Sequence, residues 1–146
     1  MDYLKNAQKK LKVEKRKVPK MTLNLLILKS PQITNKIRNR WLLGESVNGG
    51  DIGDYRSGLY RSFKININPS GRGKVDLTLT GALGKGLTIK KASSKSIEIF
   101  SKDDKFFSIA TKYGFEEFNL TDKEWVEISE EIVYIIASRV ISKIYS

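Results

Sequence analysis

The sequence of 146 residues contains no cysteine and no histidine. Without thiols, thiolate chemistry and zinc fingers are excluded. Without imidazole, a histidine general base and the Ser-His-Asp arrangement are excluded as well. A carboxylate-based metal site, or a mechanism built from carboxylates and lysines, is all that remains for an enzyme.

Long hydrophobic runs are also missing. The longest candidate, Leu23 to Leu28, has six residues, whereas a helix needs roughly 18 apolar residues to cross a bilayer. The charged N-terminus lacks an apolar core ending in small residues, so we expect no signal peptide. At this length the chain fits one domain with a modest core.

Positive charge dominates the composition. The formal net charge is +11, which predicts attraction to nucleic acid, an anionic surface or an acidic protein. Residues 1–20 hold eight basic and two acidic side chains, whereas residues 114–131 hold seven acidic and one basic. These opposite ends suit head-to-tail contact between copies, although a solvated tail and a solvated helix face explain them equally well.

Three glycines and a lysine lie in "LTLTGALGKGLTIKK", Leu77 to Lys91, and raise the question of a phosphate-binding loop. Such a loop needs the pattern G-x-x-x-x-G-K-[ST] between a strand and a helix. Here Gly86 follows Lys85, and position 79 holds Leu79 where the first glycine should be. A strand pattern follows. We therefore predict that Gly81, Gly84 and Gly86 let the chain turn where a side chain would obstruct it.

Acidic residues offer little for catalysis. Asp51 and Asp54 lie in the glycine-rich segment 44–58 but lack the spacing of a calcium loop, and they are ordinary turn residues. Asp103 and Asp104 are typical of a hairpin turn. The sequence predicts no metal site, no cofactor site and no catalytic residue.

Periodicity predicts helices at both ends of the chain. Ser30 and Pro31 are typical of a helix start, and the following apolar spacing predicts a helix ending near Gly44. Leu23 to Leu28 fits either a helix or a buried strand. Thr121 and Glu124 form a capping-box pattern at the start of a long last helix. Its apolar stripe, expected to lie across the sheet, comprises Trp125, Ile128, Ile132, Ile135, Ile136, Val140 and Ile144.

Alternating patterns between these helices predict an antiparallel meander with one buried face. The predicted strands cover 62–69, 75–80, 86–92 and 95–101, and residues 106–110 read as a last strand or a turn. The predicted class is α+β: a small antiparallel sheet flanked by N-terminal helices and a long C-terminal amphipathic helix. Residues 1–20 form a basic arm, helical or disordered, that Pro19 ends. Residues 21–146 form a single domain.

Four segments resemble a known family: "GDIGDYRSGLYRSFK", "VDLTLTGALGKGLTIKK", "SIEIFSKDDKFFSIATKYG" and "FNLTDKEWVEISEEI". They resemble tail-completion and virion-morphogenesis proteins of tailed phages, among them siphophage neck proteins and the small versions in Bacteroides and crAss-like phages. The family's strand-turn-strand corresponds to residues 80–89, its "YG" to Tyr113 and Gly114, and its start of the last helix to residues 118–124. The sequence departs from the family pattern in two places. Gly86 stands where a polar residue is usual. The family's usual His or Tyr, and its aromatic residue before the second glycine, appear only as Lys112-Tyr113-Gly114.

This resemblance implies a non-enzymatic virion protein made in the bacterial cytoplasm. Copies would form a homo-oligomeric ring at the neck, the head-tail connector or the upper tail, joining portal or adaptor to tail proteins. The alternative is a basic nucleic-acid-binding domain. Neither reading involves a membrane.

Candidate contact residues follow from these readings. Arg56, Tyr60, Arg61 and Lys85, in and after the glycine-rich segment, are predicted at a subunit or partner interface. The basic arm is predicted to contact an acidic partner or, non-specifically, DNA. Its candidate residues are Lys9, Lys10, Lys12, Lys15, Arg16 and Lys17.

Overall fold

Helices and one β-hairpin build the chain in the computed structural model, which describes residues 2–78 and 81–146. In chain order the elements are α1 (Asp2–Leu28), α2 (Ser30–Leu42), α3 (Gly58–Ile67), α4 (Ala82–Lys85), β1 (Leu87–Lys91), β2 (Ile97–Ser101), α5 (Phe106–Tyr113) and α6 (Asp122–Tyr145). Short 3₁₀ helices cover Pro69–Gly71 and Phe115–Phe118. The predicted α+β class, with a small antiparallel sheet and a long C-terminal helix, is confirmed.

The sheet is smaller than the predicted meander. Strand β1 pairs antiparallel with β2, with Leu87 opposite Ser101 and Lys91 opposite Ile97. These two strands were predicted from alternation, and Leu87 and Ile89 do point into the core. Within the described residues, no further strand joins this hairpin.

The predicted strand 62–69 is wrong, because residues 58–67 form helix α3. Ser57 caps this helix, and its hydroxyl accepts a hydrogen bond from the Tyr60 amide at 3.2 Å. As a strand, Lys64 and Asn68 would face solvent. In the helical conformation they lie one turn apart, and both reach the buried carboxylate of Asp76. Tertiary pairing thus overrides a local alternating pattern.

The predicted strand 75–80 is likewise not formed over its described part. Residues 75–78 are irregular, and Leu77 adopts a left-handed φ of 52°. The Asp76 carboxylate accepts a hydrogen bond from the Thr78 amide at 3.1 Å, which bends the chain there. Leu79 and Thr80 lie outside the described residues.

The strand or turn predicted at 106–110 belongs to helix α5. Asp103 and Asp104, predicted in a hairpin turn, instead precede that helix.

Helix α1 runs through Pro19 without ending, contrary to the prediction. Pro19 lies on the exposed side of the helix, where its ring meets solvent. Leu23 and Leu25 beyond it are buried, and α1 packs along α6. Leu23 to Leu28 is therefore helical. A division into an arm and a domain at residue 20 stays a prediction, although one helix spans that boundary.

The core lies between α2, α6, the hairpin and α5. Ile33, Ile37 and Trp41 of α2 are fully buried and meet Ile128 of α6 in one apolar cluster. The Trp41 and Phe118 rings meet edge to face with centroids 5.1 Å apart. Helix α6 begins at the predicted capping box, with Thr121 and Glu124 bonding each other's backbone amides. No helix within residues 2–78 and 81–146 is long and apolar enough to cross a membrane.

Candidate functional site

A buried ion pair joins two of the segments that carry the family resemblance. Lys64 Nζ lies 2.6 Å from Asp76 Oδ1, and each side chain is only 1% exposed. Asn68 Nδ2 donates to the other carboxylate oxygen at 2.7 Å. Burial opposes ionisation of Asp76, but the hydrogen bonds from Lys64, Asn68 and the Thr78 amide outweigh it and hold the pKa of Asp76 below its usual range.

Tyr55 closes this network from the glycine-rich segment. Its hydroxyl lies 3.5 Å from Asp76 Oδ1, and its ring meets Tyr60 edge to face at 4.9 Å. Burial and the nearby Asp76 charge raise the pKa of Tyr55 well above that of a free phenol. The side chain is therefore a neutral phenol at neutral pH, and it acts as packing and as a hydrogen-bonding group.

An open cleft of about 350 Å³ lies beside the ion pair. Tyr113, Lys105 and Lys112 line it together with Tyr55 and Asp76. The Lys64 ammonium is already matched by the Asp76 carboxylate, so neither group is free to act as a nucleophile or a base. The arrangement fixes helix α3 against residues 75–78. Among the described residues no cluster of three or more acidic side chains could hold a metal ion.

The glycine segment is built for close packing. Gly81 has a left-handed φ of 72° and precedes α4, a single helical turn. A Cβ on Gly86 would lie 2.6 Å from Ser101 Oγ, whose hydroxyl donates to the Leu83 carbonyl at 2.7 Å. The predicted obstruction of a side chain at this turn is confirmed for Gly86. Lys85 is exposed at the end of α4.

Three of the four predicted interface residues lie together. Arg56, Tyr60 and Arg61 are exposed in and just before α3, and the Arg61 side chain lies over Gly73. Lys85 belongs to a different element, at the end of α4.

The predicted polyanion-binding residues form the outer surface of a docked helix. All six are exposed on α1: Lys9, Lys10, Lys12, Lys15, Arg16 and Lys17. Lys17 pairs with Glu14 at 2.7 Å. Lys9 and Lys10 lie beside Lys143, near the C-terminal end of α6. The six cations are therefore carried by an ordered helix.

Apart from Tyr60, the residues of two exposed apolar surfaces were missed by sequence reasoning. The first, here called the α3 stripe, is Leu59, Tyr60, Phe63 and Ile67, with Leu59 87% exposed. The strand prediction had placed Phe63 and Ile67 on a buried face. Helical spacing of residues 59, 63 and 67 was the signal that could have found it.

The second surface, here called the α6 outer stripe, lies on the face of α6 opposite its buried side. It comprises Val126, Val133, Tyr134, Ala137, Ile141 and Tyr145. Tyr134 is 74% exposed and Val133 64% exposed. The predicted stripe of α6 contains the two buried isoleucines, Ile128 and Ile132. A second periodic set, offset by half a turn, was the available signal.

Comparison of the chain with models of known protein families, with curated proteins and with solved structures finds no match.

Proposed function

We propose that the protein is a structural subunit of a tailed-phage virion. It assembles as a homo-oligomeric ring at the neck, the head-tail connector or the upper tail, and it joins portal or adaptor proteins to the tail. The proposed role contains no catalytic step. The observation that carries the proposal is the pair of exposed apolar stripes on α3 and α6 of one small chain. Exposed apolar surface of this kind marks protein–protein contact sites.

The family resemblance supports the same role. Its segments contribute Tyr55, Lys64 and Asp76 to one buried network and Gly86 to a close turn. These residues hold the α3 region and the hairpin in place and leave the apolar stripes outside. A scaffold that presents contact surfaces is what a ring subunit requires.

Localisation in particles tests the proposal. Particles of the phage that encodes the chain are purified, and the protein is sought by mass spectrometry and by electron microscopy of the neck and tail. We expect a fixed copy number per particle and ring-shaped density between capsid and tail. Complete absence from intact particles would overturn the proposal.

A second candidate function is binding of nucleic acid through α1. The specific observation is the row of six exposed cations on one helix, since phosphate contacts need clustered Lys and Arg and little else. Binding that weakens steeply with salt, and that is lost when Lys9, Lys12 and Arg16 are changed to Gln, is expected of this function. Lack of binding to DNA and RNA at low salt excludes it.

A further inference from the structure

Helix α6 is apolar on two opposite faces along the part that packs on α1. Its inner face buries Ile128 and Ile132, and the α6 outer stripe, centred on Val133 and Ala137, is exposed. A helix that is apolar on both sides is normally covered on both sides. Within the described residues, nothing in the chain covers the outer side.

The α3 stripe is a second uncovered apolar surface, and it differs from the α6 outer stripe in the charge of the residues around it. Arg56 and Arg61 flank it and are both exposed. Arg61 also interacts electrostatically with Asp54, a carboxylate that already pairs with Lys74. The α6 outer stripe carries Glu130 between Val126 and Val133. Glu130 is exposed and also makes no ion pair within the described part of the chain, whereas its neighbours Glu127 and Glu131 pair with Lys36 and Lys29.

We propose that the α6 outer stripe of one copy docks on the α3 stripe of the next copy, with Glu130 meeting Arg56 or Arg61. This inference rests on the proposed ring assembly and names its contact. One such contact per copy covers both stripes and places Glu130 of one copy near the arginines of the next. Pairing of two α6 stripes would leave the α3 stripe exposed. A contact between two different surfaces is heterologous, and it generates rings when the rotation closes.

Mixing two complementary variants tests the contact in the purified full chain. Val133→Glu blocks the α6 outer stripe and Leu59→Glu blocks the α3 stripe. We expect wild type to form closed oligomers and each variant alone to be a monomer by light scattering. An equimolar mixture should form dimers and nothing larger, because one intact stripe of each kind is left in the pair. Val13→Glu is the matched control, because Val13 is an exposed valine of α1 outside both stripes, and this variant should assemble as wild type does.

A charge exchange gives a second, milder test. Glu130→Arg alone should weaken assembly at least tenfold at low salt, and combining it with Arg56→Glu or with Arg61→Glu should recover most of the loss. Far-UV circular dichroism and thermal melting verify that each variant is folded.

Several results would overturn the docking. The first three are a wild type that stays monomeric at high concentration, a mixture that forms no dimer, and a charge exchange that restores no assembly. The fourth is that the Leu59→Glu variant forms oligomers while the Val133→Glu variant is monomeric. The last result would instead indicate α6–α6 pairing. If the purified protein is monomeric but is found in phage particles, the docking is wrong and the proposed function stands. If it forms head-to-tail oligomers but is absent from particles, the docking stands and the proposed function is wrong.

Discussion

Lys64 and Asp76 form an ion pair that is almost completely removed from solvent, with 2.6 Å between Nζ and Oδ1. The pair connects helix α3 to a stretch of irregular backbone. Asn68, one helical turn after Lys64, bonds the same carboxylate. Removing one partner of such a pair lowers the stability of the fold more than replacing both partners with apolar residues, because the remaining charge stays buried without a partner.

The first prediction follows from that asymmetry. Asp76→Ala should lower the free energy of unfolding by about 3–5 kcal/mol, the usual cost of leaving one buried charge alone. The double variant Lys64→Met with Asp76→Leu should recover much of the loss, because no isolated charge remains. Urea unfolding followed by circular dichroism measures both. The control is Asp54→Asn, which removes an exposed partner of Lys74 and should change stability little. Equal losses in the Asp76 and Asp54 variants would contradict the argument.

The second prediction concerns the stability of the fold at low pH. The pKa of Asp76 is lower in the folded protein than the ordinary value of about 3.9 expected when unfolded. Its contribution to stability is therefore present above about pH 4 and is lost as pH falls through the folded pKa. We expect the free energy of unfolding to drop below about pH 4, and the Asp76→Asn variant to show a shallower drop. Parallel curves for the two proteins would show that Asp76 is not responsible.

The third prediction concerns base. Burial and the nearby Asp76 charge raise the pKa of Tyr55, so Tyr55 should stay protonated above pH 10, near which a free phenol ionises. The ultraviolet absorbance of ionised phenol should show a tyrosine phase that titrates late or only on unfolding, and this phase belongs to Tyr55. A raised folded pKa means that stability is lost as pH rises above about 10. The Tyr55→Phe variant should lack the late phase, and an unchanged titration curve would refute the assignment.

These residues also show where sequence reasoning succeeds. Helix α6 was predicted because its signals are local: a capping box at Thr121 and Glu124 and apolar residues at helical spacing. The β1–β2 hairpin was predicted for the same reason, with local alternation that agrees with burial.

Helix α3 was not predicted because its decisive contact is distant in sequence. Residues 63–67 alternate as a strand does, and the distant Asp76 is the partner that makes the buried, helical placement of Lys64 favourable. The predicted interface residues Arg56, Tyr60 and Arg61 lie together at α3, yet the stripe beside them was hidden by the strand assignment. The α6 outer stripe was missed because a single apolar face is enough to predict an amphipathic helix, and the second apolar face was not looked for.

The fourth prediction concerns Gly86. Gly86→Ala places a methyl group 2.6 Å from Ser101 Oγ, so the hairpin must shift or the Ser101–Leu83 hydrogen bond must break. Overpacking of this kind costs about 1–3 kcal/mol. Adding Ser101→Ala should relieve part of the strain. Gly58→Ala is the matched control, since nothing lies within 4 Å of a Cβ there, and alanine at the start of α3 should be neutral or slightly stabilising. Thermal unfolding ranks the variants, and a stable Gly86→Ala would disprove close packing at this turn.

The last prediction concerns α1. Its buried residues are Leu23 and Leu25, whereas residues 2–17 are exposed except for the partly covered Ala7 and Glu14. Removal of residues 2–17 should leave a cooperative fold with a lowered melting temperature, because the cluster around Trp41 and Ile128 does not depend on them. Removal of residues 2–25 should abolish cooperative unfolding, because Leu25 belongs to that cluster. Calorimetry and amide dispersion in NMR spectra distinguish the two. Loss of cooperative unfolding in the shorter deletion would show that the basic half of α1 is an integral part of the core.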